Sequence, residues 1–109
     1  MKKVFIASIA VLAVCFFLSA GFAQENGKGK SGEELFKAHC SVCHPDGGNI
    51  INPQFTLHKK DREAHGIKKA ADIIGKMRKP GPGMTQFDKN TISDGDSIKI
   101  AAYILKTFK

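Results

Sequence analysis

Cys40-Ser41-Val42-Cys43-His44 is the stretch on which the reading of this 109-residue chain turns. Two thiols stand three positions apart, and an imidazole follows the second at once. On a helix, a spacing of three places both sulfurs on one side. A disulfide between them would close a very short loop and stabilise little. A thioredoxin-like dithiol needs a strand leading into a helix, and no strand-like run precedes this one. A zinc site drawn from His39, Cys40, Cys43 and His44 would crowd its ligands together and strain the tetrahedral geometry. The pattern is instead the c-type haem attachment sequence. In that chemistry two thiols add to the two vinyl groups of a porphyrin, and the adjacent histidine reaches the iron. Cys40 and Cys43 are therefore the expected attachment points of one covalent haem c, and His44 is its expected proximal ligand.

Working outward, Ser31-Gly32-Glu33-Glu34 reads as a capping box, with Ser31 as N-cap and Glu34 at the third helical position. The helix it starts carries Leu35, Phe36, His39, Cys40 and Cys43 on one face, and Pro45 is expected to end it. Residues 46–55 are rich in Gly, Asn and Pro and read as a loop. A short polar helix is expected over His58–His65, with Gly66 as its stop. Another is expected around Ala70–Lys79, with Ile73, Ile74 and Met77 on one side and Pro80 cutting it off. The last helix starts at Ser93, with Asp96 completing a second capping box. Its inner face is read as Ile98, Ala101, Ala102, Leu105 and Phe108. No alternating apolar run of strand length occurs, so the expected class is all-α.

One iron face remains to be filled, and what fills it decides function. The candidates are His39, His58, His65, Met77 and Met84. Met84 follows Pro80-Gly81-Pro82-Gly83, a loop of two fixed and two permissive φ angles that presents a side chain at little entropic cost. Met77 keeps core spacing with Ile73 and Ile74. His39 sits beside Cys40 and cannot reach across a ring. His58 and His65 flank a helix rich in Lys59, Lys60, Asp61 and Arg62, whose default is a solvated surface. Met84 is the expected sixth ligand.

The chain is 42% hydrophobic overall, but the apolar residues are concentrated at one end. Lys2 and Lys3 precede an apolar run from Val4 to Leu18, and Gly21 and Ala23 are small residues suited to a cleavage site. Residues 1–23 thus read as a secretory signal cut before Gln24, with Cys15 one more apolar residue of it. A retained anchor is the alternative. Residues 24–30 read as a Gly/Lys linker, and residues 31–109 as the haem domain. After the signal, only about one third of residues are apolar, a thin core that a bound porphyrin would complete. The formal charge of +7 falls to +5 without Lys2 and Lys3. Lys59, Lys60, Arg62, Lys68, Lys69, Lys76, Arg78, Lys79 and Lys89 make the middle basic. That favours acidic partner proteins, while nucleic acid is excluded because no aromatics interleave with the basic residues.

On these residues the chain resembles a class I monohaem cytochrome c, and most of all the small soluble algal and bacterial carriers of the c-six type. Gly32-x-x-x-Phe36 and Ala101-Ala102-Tyr103-Ile104-Leu105 resemble the crossing N- and C-terminal helices. Gly47 to Pro53 resembles the loop after the haem helix, where the resemblance assigns the Pro53 carbonyl to the proximal ring's N–H. Gly83-Met84-x-x-Phe87 resembles the distal loop. Thr85-Gln86 departs from the family's Pro-Ala, and Lys76 from its glutamine near the haem edge. The resemblance implies a cytochrome c fold of three to four helices around one covalent haem. It also implies a periplasmic, monomeric, one-electron carrier between respiratory redox partners, and not an enzyme. The alternatives are a ligand-binding or sensor haem protein with a labile Met84, and an anchored haem subunit of a respiratory complex.

Overall fold

The computed structural model describes residues 29–109. The expected signal over 1–23, Cys15 within it, and most of the linker over 24–30 lie outside those residues. Four α-helices and one 3-10 turn make up the regular structure: α1 (Gly32–His39), the turn Pro45–Gly47, α2 (Lys59–Ala64), α3 (Ala70–Arg78) and α4 (Asp94–Thr107). Among the described residues there is no strand, as the absence of alternating patterns predicted.

Both sequence-read caps form. Ser31 Oγ accepts from Glu34 N–H at 3.2 Å, and Ser93 Oγ from Asp96 N–H at 3.1 Å. Each satisfies a backbone donor that a helix start leaves without a partner. At α3 the Asp72 carboxylate reaches back to the Lys68 and Lys69 N–H groups at 3.0 and 3.1 Å. Those two bonds hold it below the usual carboxylate range. Gly66, with φ +77°, follows α2 as expected.

α4 packs against both α1 and α3. At the first crossing the backbones meet, since a Cβ on Gly32 would lie 2.3 Å from the Lys99 carbonyl oxygen. Phe36 fills the space beside it. Its ring centroid lies 5.3 Å from those of both Tyr103 and Phe108, in tilted contacts that add to the buried area. The buried core is small: Leu35, Phe36, Ile73, Met77, Ile92, Ile100, Ala101, Ile104 and Phe108.

Two expectations about helices are corrected. α1 stops at His39, with Cys40 as its C-cap, rather than running to Pro45. Cys40 and Ser41 N–H both bond the Phe36 carbonyl, and His44 N–H bonds Cys40, so the thiols lie on a turn that continues from the helix. The inner face of α4 is also rotated from the one read. Ile98 is 59% exposed and Ala102 is exposed, whereas Ser97, Ile100, Ala101 and Ile104 are buried. Nearly every position from Ile98 to Leu105 is apolar, so spacing alone left the face open. Ser97 is small and satisfies its hydroxyl on the Asp94 carbonyl at 2.7 Å, which lets it turn inward.

Candidate functional site

The turn after α1 and the loop after α3 face a cavity of about 350 Å³. Cys40, His44 and Met84 all line it, brought together from segments about forty residues apart in sequence. A smaller cavity of about 90 Å³ adjoins the same three residues and adds Cys43, Val42 and His39. The four residues expected to carry chemistry therefore converge.

The proximal side is built from short-range bonds. Gly47 N–H bonds the His44 carbonyl at 3.1 Å, and Gly48 N–H bonds that of Pro45 at 2.9 Å. This tight turn returns the Gly48 carbonyl to the His44 ring, 2.7 Å from Nδ1. A carbonyl only accepts, so the proton sits on Nδ1 and the Nε2 lone pair is free to ligate a metal. The resemblance assigns this bond to Pro53, but here the Gly48 carbonyl takes it within a five-residue turn, and Pro53 is exposed and lines neither cavity. Asp46 and Gly47 supply the bend with φ of +53° and +79°. Gly47 is needed for a second reason: a Cβ there would sit 2.5 Å from the Phe108 ring.

Cys40 and Cys43 are free thiols, not joined to each other. Burial pushes the Cys40 thiol up to about 11, so it is neutral at pH 7. Among the described residues, no three His, Cys, Asp or Glu side chains converge as a metal site.

The distal side is a loop. Gly83, with φ +89°, turns the chain at Met84, and Ile51 packs against it. Met84 is half-buried on both cavity walls. Met77 is buried in the core, as its spacing predicted, yet it also reaches the larger cavity. His39 lines only the smaller one, edge-on to Phe87 at 6.1 Å. His58 lines neither cavity and packs on Phe108 at 5.9 Å.

The polar lining of the larger cavity went unread in the sequence. Arg62, counted with the solvated basic residues, is only 4% exposed and lines the cavity. Its Nε donates to the Leu57 carbonyl at 2.6 Å and Nη2 to that of Phe108 at 3.0 Å. No carboxylate pairs with it among the described residues. Thr56, Asp61, His65 and Lys76 also line the cavity, with Thr56 donating to Asp61 at 2.5 Å and the His65 ring tilted against Phe55 at 4.1 Å. By pattern Arg62 is one more charge on a polar helix, and its bonds to the Leu57 and Phe108 carbonyls hold it inward. Ile67, Ile73, Met77 and Ile104 give the same cavity an apolar lining.

A haem fits these residues. Cys40, an imidazole of the right tautomer and a thioether share the larger cavity, Cys43 lines the smaller one beside it, and the larger one offers an apolar lining and a buried cation. The apolar lining suits the porphyrin plate, and the buried cation suits its carboxylates. Comparison with known proteins agrees. The family described as "Cytochrome C oxidase, cbb3-type, subunit III" matches residues 27–104. Cytochrome c6 of Synechocystis is 39% identical over 68% of this chain and 61% of its own length. Cytochrome c6 of Cyanidium caldarium is 31% identical over 87% of this chain and 89% of its own. The chain thus spans about three-fifths of the first relative and nearly nine-tenths of the second. In structure, outer-membrane cytochrome F of Geobacter sulfurreducens superposes with a TM-score of 0.71 and 43% identity, over 72% of this chain and all of that one.

Proposed function

The chain belongs to the small monohaem class I c-type cytochromes, a family of haem electron carriers, and from that premise we propose that it is a periplasmic carrier between respiratory redox partners. One observation carries the reading: His44 and Met84 line the same cavity as Cys40. A covalent haem supplies reversible one-electron exchange at its iron. The residues of this chain do the rest. Cys40 and Cys43 anchor it, and Gly48 holds the His44 ring with Nε2 free. Met84 would be the second protein ligand of the iron, which would leave no position there for a substrate, so the protein would act as a carrier and not as an enzyme. A thioether there favours the reduced state relative to a second histidine. The apolar lining keeps water out and limits reorganisation between oxidation states.

Electrons then cross at the exposed edge. Val42 and Ile51 are exposed there, on the wall of the smaller cavity. Lys59, Lys60, Lys68, Lys69, Lys76 and Lys79 are exposed and steer the protein toward acidic partners. Arg62 and Arg78 leave that set, being buried and half-buried. The encounter is brief and the protein a monomer, so association should fall with rising salt. Residues 1–23 act as the export signal, cut before Gln24, leaving no stable membrane association.

The test is spectroscopic. The ferric holoprotein is expected to show a sulfur-to-iron charge-transfer band that Met84→Ala abolishes. A wild type without that band, binding carbon monoxide rapidly when reduced, would make this a ligand-binding or sensor haem protein instead. The family description favours one further reading, an anchored haem subunit of a respiratory complex. No helix among the described residues is long and apolar enough to cross a membrane, and in this reading residues 1–23 would be kept as the anchor. The mass of the exported product decides: a chain starting at Gln24 plus one haem excludes the anchor.

A further inference from the structure

We propose that Arg78 is a positioning residue for the Met84 thioether, clasping both ends of the loop that presents it. The inference rests on Met84 as the distal ligand. Within the loop almost nothing holds Met84 in place. Pro80 and Pro82 have no N–H to donate, and Gly81 and Gly83 have no side chains. Between residues 79 and 85 the one backbone bond is Met84 N–H to the Gly81 carbonyl, long at 3.4 Å. The position of Met84 is therefore set by where the loop leaves α3 and where it returns.

Arg78 controls both points. It is the last residue of α3, so the loop departs from it. Its Nη1 donates to the Phe87 carbonyl at 3.1 Å and to the Ile92 carbonyl at 2.8 Å. Its Nη2 donates to Asp94 Oδ1 at 3.0 Å. Its own carbonyl accepts from Gln86 Nε2 at 2.9 Å. One planar fork thus ties the returning strand of the loop, the segment before α4 and the first turn of α4 to the end of α3. Two bonds that do not use the guanidinium support the returning segment beside it: Phe87 N–H to the Met77 carbonyl at 2.9 Å and Gln86 to the Arg78 carbonyl. A lysine could meet one of these acceptors but not three at fixed angles. The side chain is 20% exposed, so its bonds form away from most competing water.

Loss of the clasp should free the loop to swing and let Met84 leave the iron more often. Arg78→Gln is expected to raise the rate of carbon monoxide binding to the reduced protein roughly tenfold, the scale of one or two lost hydrogen bonds. The pH at which the ferric sulfur-to-iron band disappears should fall by about one unit, the same factor. Arg78→Lys should lie between wild type and Arg78→Gln, and it carries the test if the glutamine variant does not fold. Ser31→Ala serves as a control, weakening the cap of α1 far from the loop; it should lower the melting temperature while leaving both readouts unmoved. If Arg78→Gln melts earlier, as Ser31→Ala does, but leaves carbon monoxide binding and the band unchanged, Arg78 is only structural and the proposal is overturned. If wild type has no such band and Met84→Ala behaves as wild type, the ligand reading fails and takes the proposal with it.

Discussion

Residues 40–48 and residues 79–87 supply opposite contributions to one cavity, and they are held in place by different means. The first stretch is stiffened from within. Bonds between neighbours close it turn by turn, from Cys40 N–H on Phe36 to Gly48 N–H on Pro45, and the ring it presents is held by a carbonyl four residues on. The second has one weak bond of its own and depends on Arg78 and Phe87 at its ends. Locally closed backbone opens only when the surrounding structure unfolds, whereas a tethered loop can open alone. The proximal ligand should therefore share the stability of the whole fold, and the distal ligand should respond to small changes nearby.

Glycine substitutions probe that difference most sharply. Gly47→Ala forces a side chain onto a φ of +79° and into the Phe108 ring, and should destabilise the ferric holoprotein by about 2–4 kcal/mol in guanidinium titration. Gly83→Ala also meets a positive φ, but the nearest atom, Ile51 Cγ2 at 3.0 Å, ends a side chain. Its cost should be about 1–2 kcal/mol, and it should appear more clearly in the sulfur-to-iron band than in global unfolding. Gly81→Ala meets nothing within 4 Å and has no positive φ. It should be neutral or stabilise by up to about 1 kcal/mol, by limiting the unfolded chain. Equal losses at Gly47 and Gly81 would erase the contrast between the two stretches.

The smallest expected effect is electrostatic. Lys89 and Arg78 hold the Asp94 carboxyl below its ordinary value of 3.8. A depressed carboxyl contributes its stability above the unfolded value, and that contribution is lost as pH falls through the lower folded one. The Asp94 carboxyl and Lys89 are exposed, so the gain is slight. Asp94→Asn should lose the ferric band a little sooner than wild type near neutral pH. The difference should shrink as pH falls below about 3.8. A difference that grew in acid would remove Asp94 from the clasp.

What could be read in advance follows the range of the interaction responsible. Ser31 and Ser93 cap helices through bonds to the third residue on, and Pro80 ends α3 through its own ring, so those boundaries were legible. Cys40, Cys43 and His44 were legible because their chemistry requires adjacency in the chain. The end of α1 was misread because the turn at Cys40 answers to the two bonds on the Phe36 carbonyl, not to the proline ahead. Ile98 and Ile100 could not be ranked by pattern on an apolar stretch of α4, and packing against α1 and α3 chose Ile100, which is fully buried.

The amino-acid sequence by itself determined the helices, a haem-attachment pattern at Cys40–His44, and a methionine on a Pro/Gly loop, since each depends on residues within a few positions of one another. Only the tertiary structure decided that Gly48 rather than Pro53 meets His44, that Arg62 is buried at the cavity, and that Arg78 binds Phe87, Ile92 and Asp94 together. Each of those choices among competing donors and acceptors waits on how the chain returns to itself, and the geometry of that return is set by the packing of α1, α3 and α4.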